Sequence, residues 1–151
     1  MNLHFKSIDK NNLSEVLSLK IRSDQEGFIE SVDECIEEAR SASNWRTLAI
    51  YSGSEVVGFT MYGYFENEGD YGRVWLDRIL IDYRYQGKGY GKKSVVYLIK
   101  RLFDEYNCNE IYLSVYDYNK FAIRLYESIG FKFNGEVDSK GEKVMVIKRG
   151  M

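Results

Sequence analysis

The chain has 151 residues, enough for the core of one ordinary domain and too few for two comfortable ones, so one domain spanning 1–151 with one site is the expectation. Its composition, 44% hydrophobic and 15% aromatic, is that of a soluble globular protein, and no apolar run approaches the roughly 20 residues of a membrane helix. With 23 acidic and 21 basic side chains the formal charge is −2, which gives no electrostatic case for nucleic-acid binding and leaves room for a cationic ligand.

Residues Asn2 to Lys6 enter an alternating pattern without the basic, apolar and small-residue succession of an export signal, so the expected compartment is the cytoplasm. Leu3 and Phe5 mark a first strand. Asn12 with Glu15 three residues on resembles a helix start, which puts Leu13, Val16, Leu17 and Ile21 on one face. Ser31 and Glu34 form a capping box that opens a second short helix through about Arg40. From Thr47 the period becomes two: Leu48 to Tyr51, the turn Ser52-Gly53-Ser54 and Val56 to Phe65 read as a hairpin. The polar stretch Glu66 to Asp70 precedes an apolar strand at about Arg73 to Ile81. After the glycine-punctuated segment Arg84 to Gly91 comes a helix with Val95, Ile99, Leu102 and Tyr106 at helical spacing. Ile111 to Tyr116 is a further strand, and Asn119 caps a helix carrying Ala122, Leu125, Tyr126 and Ile129 that Gly130 ends. Phe131 to Val137 and Lys143 to Ile147 close the chain as a hairpin around Asp138 to Gly141. The order β-α-α-β-β-β-α-β-α-β-β predicts an α/β protein, a mixed sheet with helices on its faces.

Two cysteines, Cys35 and Cys108, stand far apart, and His4 is the only histidine, so neither a metal site nor a cysteine-histidine pair finds support. The glycine segment is more informative. Between a strand and a helix, Gln86, Gly87, Lys88, Gly89, Tyr90 and Gly91 allow a tight turn that leaves main-chain N–H groups uncovered, with Lys88, Lys92 and Lys93 adding positive charge. Such a turn either holds phosphate oxygens or is a mere tight connection. The dinucleotide pattern fails because its third glycine would come one position early, and the Walker pattern fails because no Gly-Lys-Ser/Thr ends the loop.

The spacing of Arg84, Gly87 and Gly89 resembles motif A of the GNAT acetyltransferases, and Asn119, Ala122, Tyr126, Gly130 and Phe131 resemble that family's second signature. The resemblance covers essentially the whole chain. It implies a twisted, mostly antiparallel sheet of about seven strands with about four helices, acetyl-CoA as cosubstrate, and room for a homodimer. It implies that Gln86 to Lys92 cradle the diphosphate of coenzyme A and that Ile79, Leu80 and Ile81 hold its pantetheine arm on a splayed strand. Asn119 then caps its helix or contacts the cofactor, beside Ala122. Acetyl transfer to an amine needs a proton donor for the leaving thiol and an acceptor for the amine proton. The resemblance gives the first role to Tyr126, whose alternative is a core aromatic. Asp77 interrupts the apolar run Val74 to Ile81, where a carboxylate is costly unless paired or functional. It is the candidate acceptor, directly or through water, and its alternative is an ion pair with an arginine such as Arg73.

Glu26, Phe28 and Glu30 place carboxylates beside an aromatic between the two early helices, a combination that suits a flexible polycation. Trp75 and Asp77 complete the expected acceptor site. Taken with Gly72 to Arg78, Tyr85 to Gly89 and the closing Gly141 to Val146, these residues resemble the bacterial spermine/spermidine acetyltransferases, which implies spermidine or spermine as acceptor. Other GNAT acceptors (a protein N-terminus or lysine, an aminoglycoside, an amino acid) and a non-catalytic acyl-CoA-binding module are the alternatives.

Overall fold

The computed structural model describes residues 2–20 and 32–150. In chain order these are β1 (Leu3–Ser7), α1 (Leu13–Leu17), α2 (Val32–Ser41), β2 (Trp45–Ser52), β3 (Glu55–Phe65) and β4 (Arg73–Ile81). A 3-10 turn at Tyr83–Tyr85 leads to α3 (Tyr90–Tyr106), β5 (Glu110–Val115), α4 (Lys120–Ile129), β6 (Lys132–Val137) and β7 (Lys143–Lys148). The seven strands form one sheet in the order β1-β2-β3-β4-β5-β7-β6, in which only β4 and β5 run parallel. The expected α/β architecture and its strand and helix order are all present.

Two apolar clusters lie on opposite faces of this sheet. One gathers Val95, Leu98, Leu102, Leu113, Phe131 and Met145 under α3 and α4; the other gathers Val16, Cys35, Ile36, Ala49, Phe59 and Leu80 under α1 and α2. Among the described residues no helix is long and apolar enough to cross a membrane.

Two local expectations change. Asn12 does precede α1, but its side chain does not cap the helix. It is buried and ties Ser7 O and the Tyr51 hydroxyl from its amide nitrogen, at 3.1 and 3.2 Å. The helix then stops at Leu17, too short to carry a long apolar face, so Leu17 is exposed while Leu19 is buried in its place. Ile21 and the Ser31 half of the capping box lie outside the described residues.

The feature that positions the site is a bulge in β4. Tyr62 pairs with Leu76 and Met61 with Arg78, which leaves Asp77 as an extra residue with no partner on β3. Side chains alternate faces along a strand, so one extra residue reverses the alternation. Val74 and Leu76 accordingly pack under α3, whereas Leu80, of the same parity, packs under α1 and α2.

Candidate active site

Pairing between β4 and β5 is confined to Val74 with Ile111 and Trp75 with Tyr112, immediately before the bulge. Past that point the strands part, and a narrow cavity of about 40 Å³ lies between them. Its walls are Leu76 to Ile79 of β4, Leu113 to Tyr116 at the end of β5, Asn119, Ala122 and Tyr126 of the α4 segment, and Glu142 from the turn before β7. The fold thus brings together five of the residues singled out in the sequence: Asp77, Ile79, Asn119, Ala122 and Tyr126.

Asp77 is paired, though not with Arg73. Its carboxylate lies 2.9 Å from Arg78 Nη1, while Arg73 spans to Glu136 on β6 at 2.9 Å. Tyr126 packs edge-on against Phe131, with ring centres 5.8 Å apart. Burial, and then the charge of Glu142, push its hydroxyl up to about 12. The Asn119 side chain caps α4 by accepting from Ala122 N–H at 3.4 Å.

At the far end of β4 the glycine loop takes shape. Asp82 is buried and accepts from Arg84 N–H at 3.0 Å, Arg84 Nε at 2.8 Å and Lys20 N–H at 3.0 Å. Burial opposes its charge, but these donors prevail and hold its carboxyl below the usual range. Gln86 turns its side-chain amide back onto Ile81 O at 2.8 Å, so it braces the loop. Gly87 and Gly89 have φ of 76° and 87°, a left-handed conformation that side chains rarely tolerate. Gly89 then stands as the cap of α3, whose first turn carries no acidic residue. The first N–H groups of α3, at Tyr90, Gly91 and Lys92, have no acceptor within the helix and point with its positive pole out of the loop. Lys88, Lys92 and Lys93 are exposed around it. Tyr85 and Tyr90 clasp this loop to the β2–β3 hairpin through Glu55 Oε2, at 2.5 Å, and Ser52 Oγ, at 3.2 Å.

Other residues fall elsewhere. Leu80 is buried beneath α1 and α2, which leaves its main chain as the part available to a ligand. Trp75 stands outside the cavity lining: its indole N–H donates to Glu68 Oε1 at 2.6 Å and its ring lies 5.4 Å from that of Tyr112. Glu26, Phe28 and Glu30 lie outside the described residues. Glu142, which lies in a segment that carries the resemblance, and Ser114 are cavity residues to which the sequence patterns gave no role. A glutamate beside a turn glycine looks like ordinary turn polarity, and only the pairing of β5 with β7 brings it to Ser114.

The profile of the acetyltransferase (GNAT) family matches residues 13–131. Over 149 residues the chain is 44% identical to the spermine/spermidine N(1)-acetyltransferase of Bacillus subtilis (strain 168), covering 97% of this chain and 98% of that protein. Among solved structures, spermidine N-acetyltransferase from Vibrio cholerae in complex with CoA and spermine superposes with a TM-score of 0.72 at 20% identity, over 97% of this chain and 95% of that one. Aminoglycoside acetyltransferase AAC(6')-Ib in complex with coenzyme A gives 0.79, also at 20% identity, over 98% and 95%.

Proposed function

This chain belongs to the GNAT acetyltransferase family, and we propose that it transfers the acetyl group of acetyl-CoA directly to a primary amine of a polyamine, spermidine or spermine, in the cytoplasm. The observation that carries this reading is the parting of β4 from β5 at the Asp77 bulge, which opens main-chain groups of β4 onto a cavity walled by Tyr126. The acceptor class is supported by the end-to-end 44% identity with the Bacillus polyamine enzyme.

The residues present fit acetyl-CoA. A helix start with two left-handed glycines, no acid in its first turn and lysines around it suits a diphosphate held mainly by main-chain N–H groups. Gln86 to Lys92 would hold that group, the main chain of Ile79 to Ile81 would flank the pantetheine arm, and Asn119 and Ala122 would line its path. Bound there, acetyl-CoA supplies a thioester carbonyl activated toward an amine.

Tyr126, with its hydroxyl pushed up to about 12, stays protonated throughout neutral pH and is ready to donate toward the leaving sulfur. Complete transfer from such a hydroxyl to a thiol of reference pKa about 8.5 is uphill, so the first service is a hydrogen bond. A cationic amine in the cavity opposes the charge of Glu142 and makes the proton easier to give up. Asp77, or a water that it orders, receives the proton that the amine must shed before attack. Its pairing with Arg78 holds the carboxylate in place on the bulge.

Purified protein with acetyl-CoA, followed by free-thiol release, tests the reading against spermine, spermidine, a lysine peptide and an aminoglycoside. Turnover with the polyamines alone is expected. Faster turnover with the peptide or the aminoglycoside overturns the acceptor, and failure of acetyl-CoA to bind overturns the enzyme reading.

A further inference from the structure

A second carboxylate faces the cavity. Glu142 is 8% exposed and sits on the turn that enters β7. Its main chain is fixed by Asp138: the Glu142 N–H donates to Asp138 Oδ1 at 2.9 Å, and the Glu142 carbonyl accepts from the Asp138 N–H at 2.8 Å. Ser114 Oγ, on β5, donates to Glu142 Oε2 at 2.6 Å. Among the described residues that is the one hydrogen bond to this carboxylate, and no cationic side chain lies within ion-pair distance of it. The basic groups nearby are engaged elsewhere. Arg78 is on Asp77 at 2.9 Å, and the adjacent Lys143 reaches Asp117 at 3.9 Å.

A carboxylate held nine-tenths out of water with a single neutral donor is poorly compensated, and the deficit is one positive charge. The cavity already has a wall for a leaving sulfur in Tyr126 and a paired carboxylate in Asp77. What Glu142 lacks is what an alkyl ammonium brings: unit charge and three donors on a narrow stem. Resting on the acetyl-transfer reading above, we infer that Glu142 is the specificity-determining carboxylate that receives the protonated amine of the acceptor and sets it beside Asp77 and Tyr126, with Ser114 as its positioning residue. The selectivity for a cationic amine is then written partly at the sheet end, in the β5–β7 pair, and not only in the segment between the first two helices.

The test is Glu142→Gln in the full chain. Loss of a charge-assisted contact raises KM for spermidine about tenfold or more, while kcat changes less than threefold and the acetyl-CoA Kd, by calorimetry, stays within twofold. KM of the parent rises with salt more steeply than that of the variant, and Glu142→Asp recovers part of the loss. An unchanged spermidine KM overturns the inference, as does a parallel loss of acetyl-CoA and spermidine affinity, which marks a role in the fold only. If Glu142→Gln does not fold, Ser114→Ala decides: a several-fold rise in spermidine KM at unaltered acetyl-CoA affinity supports the assignment, and no change defeats it. An active parent with an indifferent Glu142→Gln defeats this inference alone; a parent that acetylates no amine defeats it together with the reading beneath it.

Discussion

In the proposed reaction Tyr126 and Asp77 carry opposite halves of the same proton balance, and each makes a separate prediction. Tyr126→Phe removes a hydroxyl and leaves the ring packed on Phe131; kcat is expected to fall about 100-fold, with acetyl-CoA affinity within twofold by calorimetry. Equal turnover in parent and variant removes Tyr126 from the donor role. The raised hydroxyl also has a stability consequence. Below pH 10 folded and unfolded chains both keep this proton, so its contribution is fully present; it is lost as the pH climbs toward 12, because the unfolded chain ionises first. The parent should lose roughly 2 kcal/mol more than Tyr126→Phe between pH 9 and 11.5. Urea midpoints at pH 9 and 11.5 measure it, and comparison with the variant cancels Tyr106, which burial also pushes up to about 12. For Asp77→Asn, about a tenfold fall in kcat/KM for the amine is expected, without loss of acetyl-CoA binding. Both residues are legible in the sequence, the tyrosine by its place in a helix signature and the aspartate because it breaks an apolar strand. The partner of Asp77 is not: Arg78, its neighbour in sequence, takes it, while Arg73 is drawn to Glu136 across the sheet.

At the scale of elements, the strand–turn–helix unit around α3 is the proposed seat of the diphosphate, and most of its local shape can be read in advance. Glycine spacing and the apolar stripe of the helix are local properties, set by the conformations that individual residues allow. Gly89 is the informative position. Its φ of 87° strains any side chain, and a carboxylate there would face the positive pole of α3. Gly89→Glu is expected to raise the acetyl-CoA Kd tenfold or more, measured by calorimetry, with thermal unfolding still cooperative. The β4 bulge is the opposite case. An apolar run from Ile79 to Ile81 reads the same whichever face each residue takes, so nothing in the run discloses that the alternation reverses at Asp77.

At the scale of the molecule, two cores hold a sheet whose middle is split, and ligand binding in the split should stabilise the whole. Acetyl-CoA at 100 times its Kd adds about 2.7 kcal/mol by mass action, a rise in Tm of roughly 5–10 °C for a chain of this size; a Tm that does not respond to the ligand contradicts the site. Leu98→Ala, in the core beneath α3, should cost roughly 2–5 kcal/mol and lower the urea midpoint without shifting the spermidine KM in the fraction that remains folded. By itself the sequence determined the succession of strands and helices and the glycine turn that opens α3, and it marked a tyrosine and an aspartate that line the cavity, because each depends on neighbours a few residues away. Only the tertiary structure decided where β4 leaves β5, that Trp75 turns to Glu68 and away from the cavity, and that Glu142 meets Ser114 28 residues away in the chain. Those are consequences of strand register and of long-range pairing, and a side chain's chemistry does not say which distant partner the sheet will bring to it.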